Sequence, residues 1–330
     1  MDNNTDPTFY LNTQLGSAIC LMILSPITII SNVLLLLTIF KDPLKCFRTP
    51  ATYFIVALAL VDFTTGLCFE PFYLMYHIKQ YTTWSLELDQ PYASLAFLGT
   101  LYTYVPVASS YMFVLGLTLS QYIAISFPHR YHSIVTTRKV IAYTVLSCVY
   151  FTMFISLYFA GVSTETLYEV GLHLHPTPIT VLLILTSCML LKSFRKLAKT
   201  SRQLGESLAD SETPNTCGHA GTTRTNKISE KQFTIVTLLL SGILIVCVLP
   251  HIIVQHIWFY TKQETHQDIL NLRSGVDIGN VMLFLKVALD AFIYALWLPK
   301  YRRSLKIVLG CGDRQMASYA FEMRTIETAT

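Results

Sequence analysis

Seven predominantly apolar runs follow one another along the chain, at about 16–40, 51–77, 92–126, 139–160, 172–192, 231–260 and 275–298. Each is long enough to cross the roughly 30 Å hydrocarbon core of a bilayer as an α-helix. Residues 1–15 and 312–330 are polar. Residues 199–228 are rich in Ser, Thr and Gly, lack hydrophobic periodicity, and read as a flexible loop. After Leu298-Pro299, basic residues at 300, 302, 303 and 306 interleave with Tyr301, Leu305 and Val308 at helical spacing. The pattern predicts an all-α membrane protein: a seven-transmembrane helix bundle over 16–298, then a short amphipathic membrane-surface helix over 299–311.

Composition agrees with that class. The 330 residues are 52% hydrophobic and 13% charged, where a soluble domain carries about 25% charged residues. Mean hydropathy is +0.48. Twenty of the 24 Lys and Arg residues fall in the first, third and fifth connections and the tail. By the positive-inside rule those segments are cytoplasmic and residues 1–15 are extracellular. The net charge of +4 therefore reflects topology and implies no nucleic-acid partner. Asn3-Asn4-Thr5 is an N-glycosylation acceptor on the predicted outer side. The eight cysteines all fall in spans or predicted cytoplasmic segments, so no extracellular disulfide is expected. Residues 1–15 do not resemble a cleavable signal peptide, and the first span is expected to serve as the targeting signal.

Ionisable residues inside the apolar runs carry the chemistry. Lys286 and Asp290 lie four apart, one helical turn from each other on one face. Asp62 is a lone carboxylate deep in the second run, and Glu70 stands nearer its outer end. Charges at such depth are costly and mark candidate functional sites. Pro250 frees a backbone carbonyl and bends the sixth span.

Seven spans with these landmarks resemble the rhodopsin-like G-protein-coupled receptor family over about residues 16–311. Asn32 matches the helix-one asparagine, Leu58-Ala59-x-x-Asp62 the helix-two pattern, and Gln121-Tyr122-Ile-Ala-Ile with Pro128 the end of helix three. Cys247-x-x-Pro250 matches helix six, and Asp290-Ala291-x-x-Tyr294 matches helix seven. The resemblance implies a plasma-membrane receptor that binds an extracellular ligand and signals to a heterotrimeric G protein by movement of helix six. Arrestin, a receptor kinase and membrane lipid are the further partners it implies. Val248 stands where tryptophan is usual, Ala291 where proline is usual, and Asp290 where asparagine is commonest. The family's helix-three cysteine would fall at Ala96. The short second outer loop, the missing outer disulfide and the helix-seven aspartate look like the branch of melanocortin, cannabinoid and lysolipid receptors.

The largest departure is Gln121, where the family carries an arginine that pairs with a helix-six acid at rest and contacts the G protein when active. Glu230 matches that acid. A neutral amide makes the weaker hydrogen bond, so both the resting lock and the G-protein contact are expected to be weaker. In the family, the positions of Asp62 and Ser110 help bind a sodium ion. Lys286 is expected to replace that ion, paired with Asp62 and Asp290, the bland alternative being a static ion pair that anchors two helices. The switch set implied by the resemblance is thus Asn32, Asp62, Ser110, Gln121, Tyr122, Glu230, Pro250, Lys286, Asp290 and Tyr294.

By position, Glu70, Tyr73, Thr103, Tyr104, Val107, His251, Gln255, Asn280 and Phe284 line a ligand cleft in the outer half of the bundle. Glu70 is placed to take a ligand cation or to pair with His77 or His251. Thr103 stands where amine receptors carry an aspartate, so a peptide or lipid ligand fits better than a biogenic amine. Cys311, after the amphipathic helix, is a palmitoylation candidate. No nucleophile–base pair, metal motif or phosphate loop is legible, so neither enzymatic activity nor a cofactor is expected. The competing assignment is a receptor of the same fold with little G-protein coupling, motivated by Gln121. An opsin is disfavoured because its lysine position corresponds to Phe284, two residues and about 200° of helix rotation from Lys286. A transporter is disfavoured because no paired repeat is visible.

Overall fold

The computed structural model describes residues 6–45, 47, 49–83, 92–209 and 220–310. Asn3, Cys311, the 210–219 part of the long loop and the tail 312–330 lie outside the described residues, as does the side chain of Glu230. Helix α1 spans Thr8–Lys41, and the second span combines α2 (Pro50–Thr64), a π turn (Thr65–Phe69) and α3 (Glu70–Thr83). The third span is α4 (Tyr92–Ser126), followed by the short α5 (Pro128–Ile134). The fourth is α6 (Thr137–Ser156), and α7 (Thr164–Leu174) precedes the fifth, α8 (Pro176–Ala209). The sixth is α9 (Ala220–Tyr260), the seventh α10 (His266–Trp297), and α11 (Pro299–Val308) follows. Six helical stretches are individually long and apolar enough to cross a membrane, and α10 with α11, bent by 97°, supplies the seventh. The 32 residues of α10 are about 48 Å long, enough to span a bilayer core without α11, which turns away from its end.

The helix ends follow local chemistry. Pro50, Pro128 and Pro299 each open a helix at its first turn, where a missing N–H costs nothing. Ser163 caps α7 by accepting from the Thr166 N–H at 3.2 Å. Thr265 and Asp268 form a reciprocal capping box at the start of α10. The fourth span ends four residues short of the predicted boundary. A run of short-range turns from Leu157 to Gly161 replaces the last turn of helix, and Gly161 closes it at φ +94°, which glycine tolerates without a Cβ clash.

Three helices differ from expectation for one reason. Hydropathy marks only the membrane-facing part of a helix, and helices continue past it. Thus α8 runs on to Ala209 and α9 starts at Ala220, both inside the 199–228 stretch read as loop. The connection after the fourth span, read as a short acidic loop, contains α7, an amphipathic helix that buries Leu167, Gly171 and Leu172.

The bundle is inside-out relative to a soluble one. Met22, Phe40, Met153 and Val246 point outward from the bundle, as expected of lipid-facing positions, while Asn32, Asp62, Glu70, His77, Gln80, Lys286 and Asp290 are buried. Helix α4 is central, touching α2, α6, α8 and α9, and α10 packs between α1 and α9. The π turn lets Pro71 sit inside the second span. The Gly66 carbonyl, which Pro71 cannot satisfy, accepts instead from the Ser25 hydroxyl at 2.9 Å. Glycine is required there, because a Cβ on Gly66 would lie 2.7 Å from the Thr28 methyl.

Candidate functional site

Among the described residues, cavities stand at opposite ends of the bundle, with a buried charge cluster along α10 between them. The first, about 580 Å³, opens among the ends of the helices nearest the amino terminus. Tyr73 on α3, Thr103, Tyr104 and Val107 on α4, His251 and Gln255 on α9, and Asn280 and Phe284 on α10 all line it. Glu70 does not, which corrects its expected place on the cleft wall. It faces α1, buried, and accepts from the Thr28 hydroxyl at 3.1 Å. Neither expected histidine partner reaches it: His77 Nδ1 lies 2.6 Å from Gln14 Oε1, and His251 stands on the cavity wall with Nδ1 unpartnered. The reason is the π turn, which adds a residue to the turn before Glu70 and rotates it from the cavity towards α1.

Several lining residues were not anticipated. Tyr168 and Leu172 come from α7, whose amphipathic spacing was the signal that could have found them. Trp258, Phe259, Tyr76 and Gln80 sit one or two turns above the anticipated set. Arg273 precedes the apolar run of the seventh span, because α10 begins well before that run, and Asp277 lies just inside it. Tyr104 is held in place by His175, whose Nδ1 lies 2.5 Å from the Tyr104 hydroxyl and whose Nε2 lies 2.8 Å from that of Tyr150. Whichever tautomer is present, each ring nitrogen meets a hydroxyl. Gly279 brings α10 against α9: a Cβ there would stand 3.0 Å from the His251 Cα.

Beneath this cavity, Lys286 Nζ lies 2.7 Å from Asp290 Oδ2 and 3.9 Å from Asp62 Oδ1, all three groups being 1–2% exposed. The structure therefore brings together the pair that spacing singled out and the lone carboxylate of the second span. Asn32 and Ser110 are buried nearby but bond along their own helices, to the Thr28 carbonyl at 3.0 Å and the Val107 carbonyl at 2.8 Å. One ammonium faces two carboxyl groups, and the Asp62 and Asp290 carboxyl groups also meet each other.

The second cavity, about 780 Å³, lies at the opposite end of the bundle and is lined by Gln121, Tyr294, Lys231, Lys300 and Tyr301 among others. Gln121 and Tyr294 thus share one wall, and the Tyr294 hydroxyl is buried without a partner. Tyr122 turns away and packs edge-on against Phe127. One turn from Gln121 towards the charge cluster, the Thr118 and Ser241 hydroxyls meet at 2.7 Å, tying α4 to α9 with no solvent exposure. Each hydroxyl is also within reach of a carbonyl one turn back, at Val114 and Thr237. With one proton apiece, they satisfy the interhelix bond and one of those two carbonyls. Pro250 lies in α9 above Val248, which is fully buried. Tyr301 and Ser304 of α11 are buried on the face that packs against α1, and burial pushes the Tyr301 phenol up to about 12.

Among the described residues, no group of three or more His, Cys, Asp and Glu side chains is arranged to hold a metal ion. Cys20, Cys68, Cys148, Cys188 and Cys247 are free thiols. Residues 31–294, most of the chain, match the family model described as 7 transmembrane receptor (rhodopsin family). A search of curated proteins returned no match.

Proposed function

The chain belongs to the rhodopsin family of seven-transmembrane receptors, and from that premise we propose that it is a ligand-gated receptor of the plasma membrane that signals to a heterotrimeric G protein. Its amino terminus is extracellular and its tail cytoplasmic, in keeping with the Lys/Arg bias. The observation that carries the assignment is the pairing of two cavities at opposite ends of one bundle, with the Lys286–Asp290–Asp62 cluster between them. Ligand enters the amino-end cavity, where Tyr73, Thr103, Tyr104, Val107, His251, Gln255, Asn280 and Phe284 form the wall. Binding biases a two-state bundle, and α9 swings about Pro250 to widen the tail-end cavity for the G protein. The switch residues are those of the charge cluster, with Tyr294 and Gln121 on the wall of the cavity that opens. Arrestin and a receptor kinase act on the same end.

Lys286 takes the place of a sodium ion. Its ammonium already lies within ion-pair distance of both carboxyl groups, so it supplies the positive charge that a sodium ion would otherwise bring. A second reading, a receptor that binds ligand with little G-protein coupling, is favoured by one observation. Gln121 presents a neutral amide, where an arginine would present a charge, to the cavity that receives the transducer. G-protein dissociation in cells, across several alpha subunits at matched surface expression, separates the two. Signal from the unmodified chain supports coupling. Silence there with signal from Gln121→Arg supports the second reading.

A further inference from the structure

Two opposite charges stand on the wall of the amino-end cavity without touching each other. Arg273 and Asp277 lie one turn apart on α10, at the spacing that normally allows an ion pair, yet among the described residues no ion pair joins them. Each is held instead by a neutral partner from another helix. The Arg273 guanidinium donates to the Tyr76 hydroxyl of α3 at 2.5 Å. The Asp277 carboxylate accepts from the Gln14 amide of α1 at 2.7 Å. The geometry is pinned further by His77, which holds the other end of the Gln14 amide at 2.6 Å. A guanidinium has five N–H donors, and Tyr76 takes one. Two charges kept apart on the wall of a largely apolar cavity retain most of their capacity to attract.

Resting on the receptor reading above, we propose that the ligand is an apolar zwitterion of dipeptide size, its anionic group on Arg273 and its cationic group on Asp277. A purely anionic ligand would leave Asp277 facing a new negative charge, and a purely cationic one would crowd Arg273; a ligand carrying both signs completes both residues. The cavity sets the size. The body of the ligand lies against Tyr73, Trp258, Phe259 and Phe284, and the volume of about 580 Å³ admits two large apolar side chains.

The test uses the purified full chain in detergent and three apolar dipeptides, Leu-Phe, Phe-Leu and Trp-Leu, each as the free zwitterion, the N-acetyl acid and the C-terminal amide. A free dipeptide is expected to raise Tm by about 3 °C or more, with the two blocked forms giving less than half that shift. In Arg273→Gln the free and amidated forms become equivalent; in Asp277→Asn the free and acetylated forms do. No shift from any free dipeptide, equal shifts from free and blocked forms, or selectivity that survives both substitutions overturns the proposal. The outcome is separable from that of the receptor reading. G-protein signal without dipeptide binding removes only the zwitterion, and dipeptide binding without signal from either the unmodified chain or Gln121→Arg removes only the coupling.

Discussion

Helix α10 carries two pairs of opposite charges at the same spacing, and they behave differently. Lys286 and Asp290 close to 2.7 Å and draw in Asp62 from α2, while Arg273 and Asp277, about three and a half turns nearer the amino end, stay apart. Sequence order is the same in both, base before acid, which is the less favourable order on a helix. Surroundings decide. Around Lys286 the neighbouring polar side chains Asn32 and Ser110 bond along their own helices, and the ions satisfy each other. Around Arg273 the neighbouring helices supply Tyr76 and Gln14, and each charge takes a neutral partner. The first is a closed pair and the second an open one.

The largest expected effect comes from breaking the closed pair. Lys286→Met leaves two carboxyl groups buried without a cation and is expected to cost about 3–5 kcal/mol, read as a lower Tm of the purified chain and lost surface expression. Adding Asp62→Asn and Asp290→Asn to Lys286→Met should recover most of that loss; if the triple variant is no better than the single one, the pair is not what stabilises this level of the bundle. Breaking the open pair should cost far less. Arg273→Gln is expected to change stability by about 0.5 kcal/mol or less, and Asp277→Asn by about 1 kcal/mol through the weakened bond to Gln14. A cost for Arg273→Gln equal to that of Lys286→Met would erase the distinction between the two pairs.

Exchanging sodium for potassium at fixed ionic strength sharpens the same contrast from the other side. The unmodified chain is expected to show no difference in Tm, because the Lys286 ammonium already stands within ion-pair distance of both carboxyl groups. A sodium-specific rise would place a second cation there and refute the replacement. The smallest effect is expected at the Thr118–Ser241 contact. A double-mutant cycle with Thr118→Val and Ser241→Ala should give a coupling of about 0.6 kcal/mol, typical of hydroxyl bonds between membrane helices. If that contact holds the resting state, its loss also raises basal signal from the chain.

Much of the architecture was legible in the chain. Seven apolar runs of bilayer length dictate seven spans, because no backbone polar group survives in hydrocarbon without an internal partner. The pairing of Lys286 with Asp290 was legible too, since four residues on a helix is a distance fixed by local geometry. Eight of the nine residues assigned to the cleft line the cavity, because each faces inward at the depth its position in its span implies.

What only the tertiary structure decided depends on rotation and on neighbours. Glu70 left the cavity wall because a π turn, at which Gly66 packs against Thr28 of α1, changes the phase of the helix after it. No periodicity count carries that phase change. Helix α7 supplies cavity wall because its apolar face has a bundle to rest on, a partner that local sequence cannot name. Arg273 and Asp277 remain apart because Tyr76 and Gln14, 197 and 263 residues distant in sequence, arrive first. Local spacing determined which charges can meet; the helices that packed around them determined which ones do, because a buried charge takes the best partner within reach.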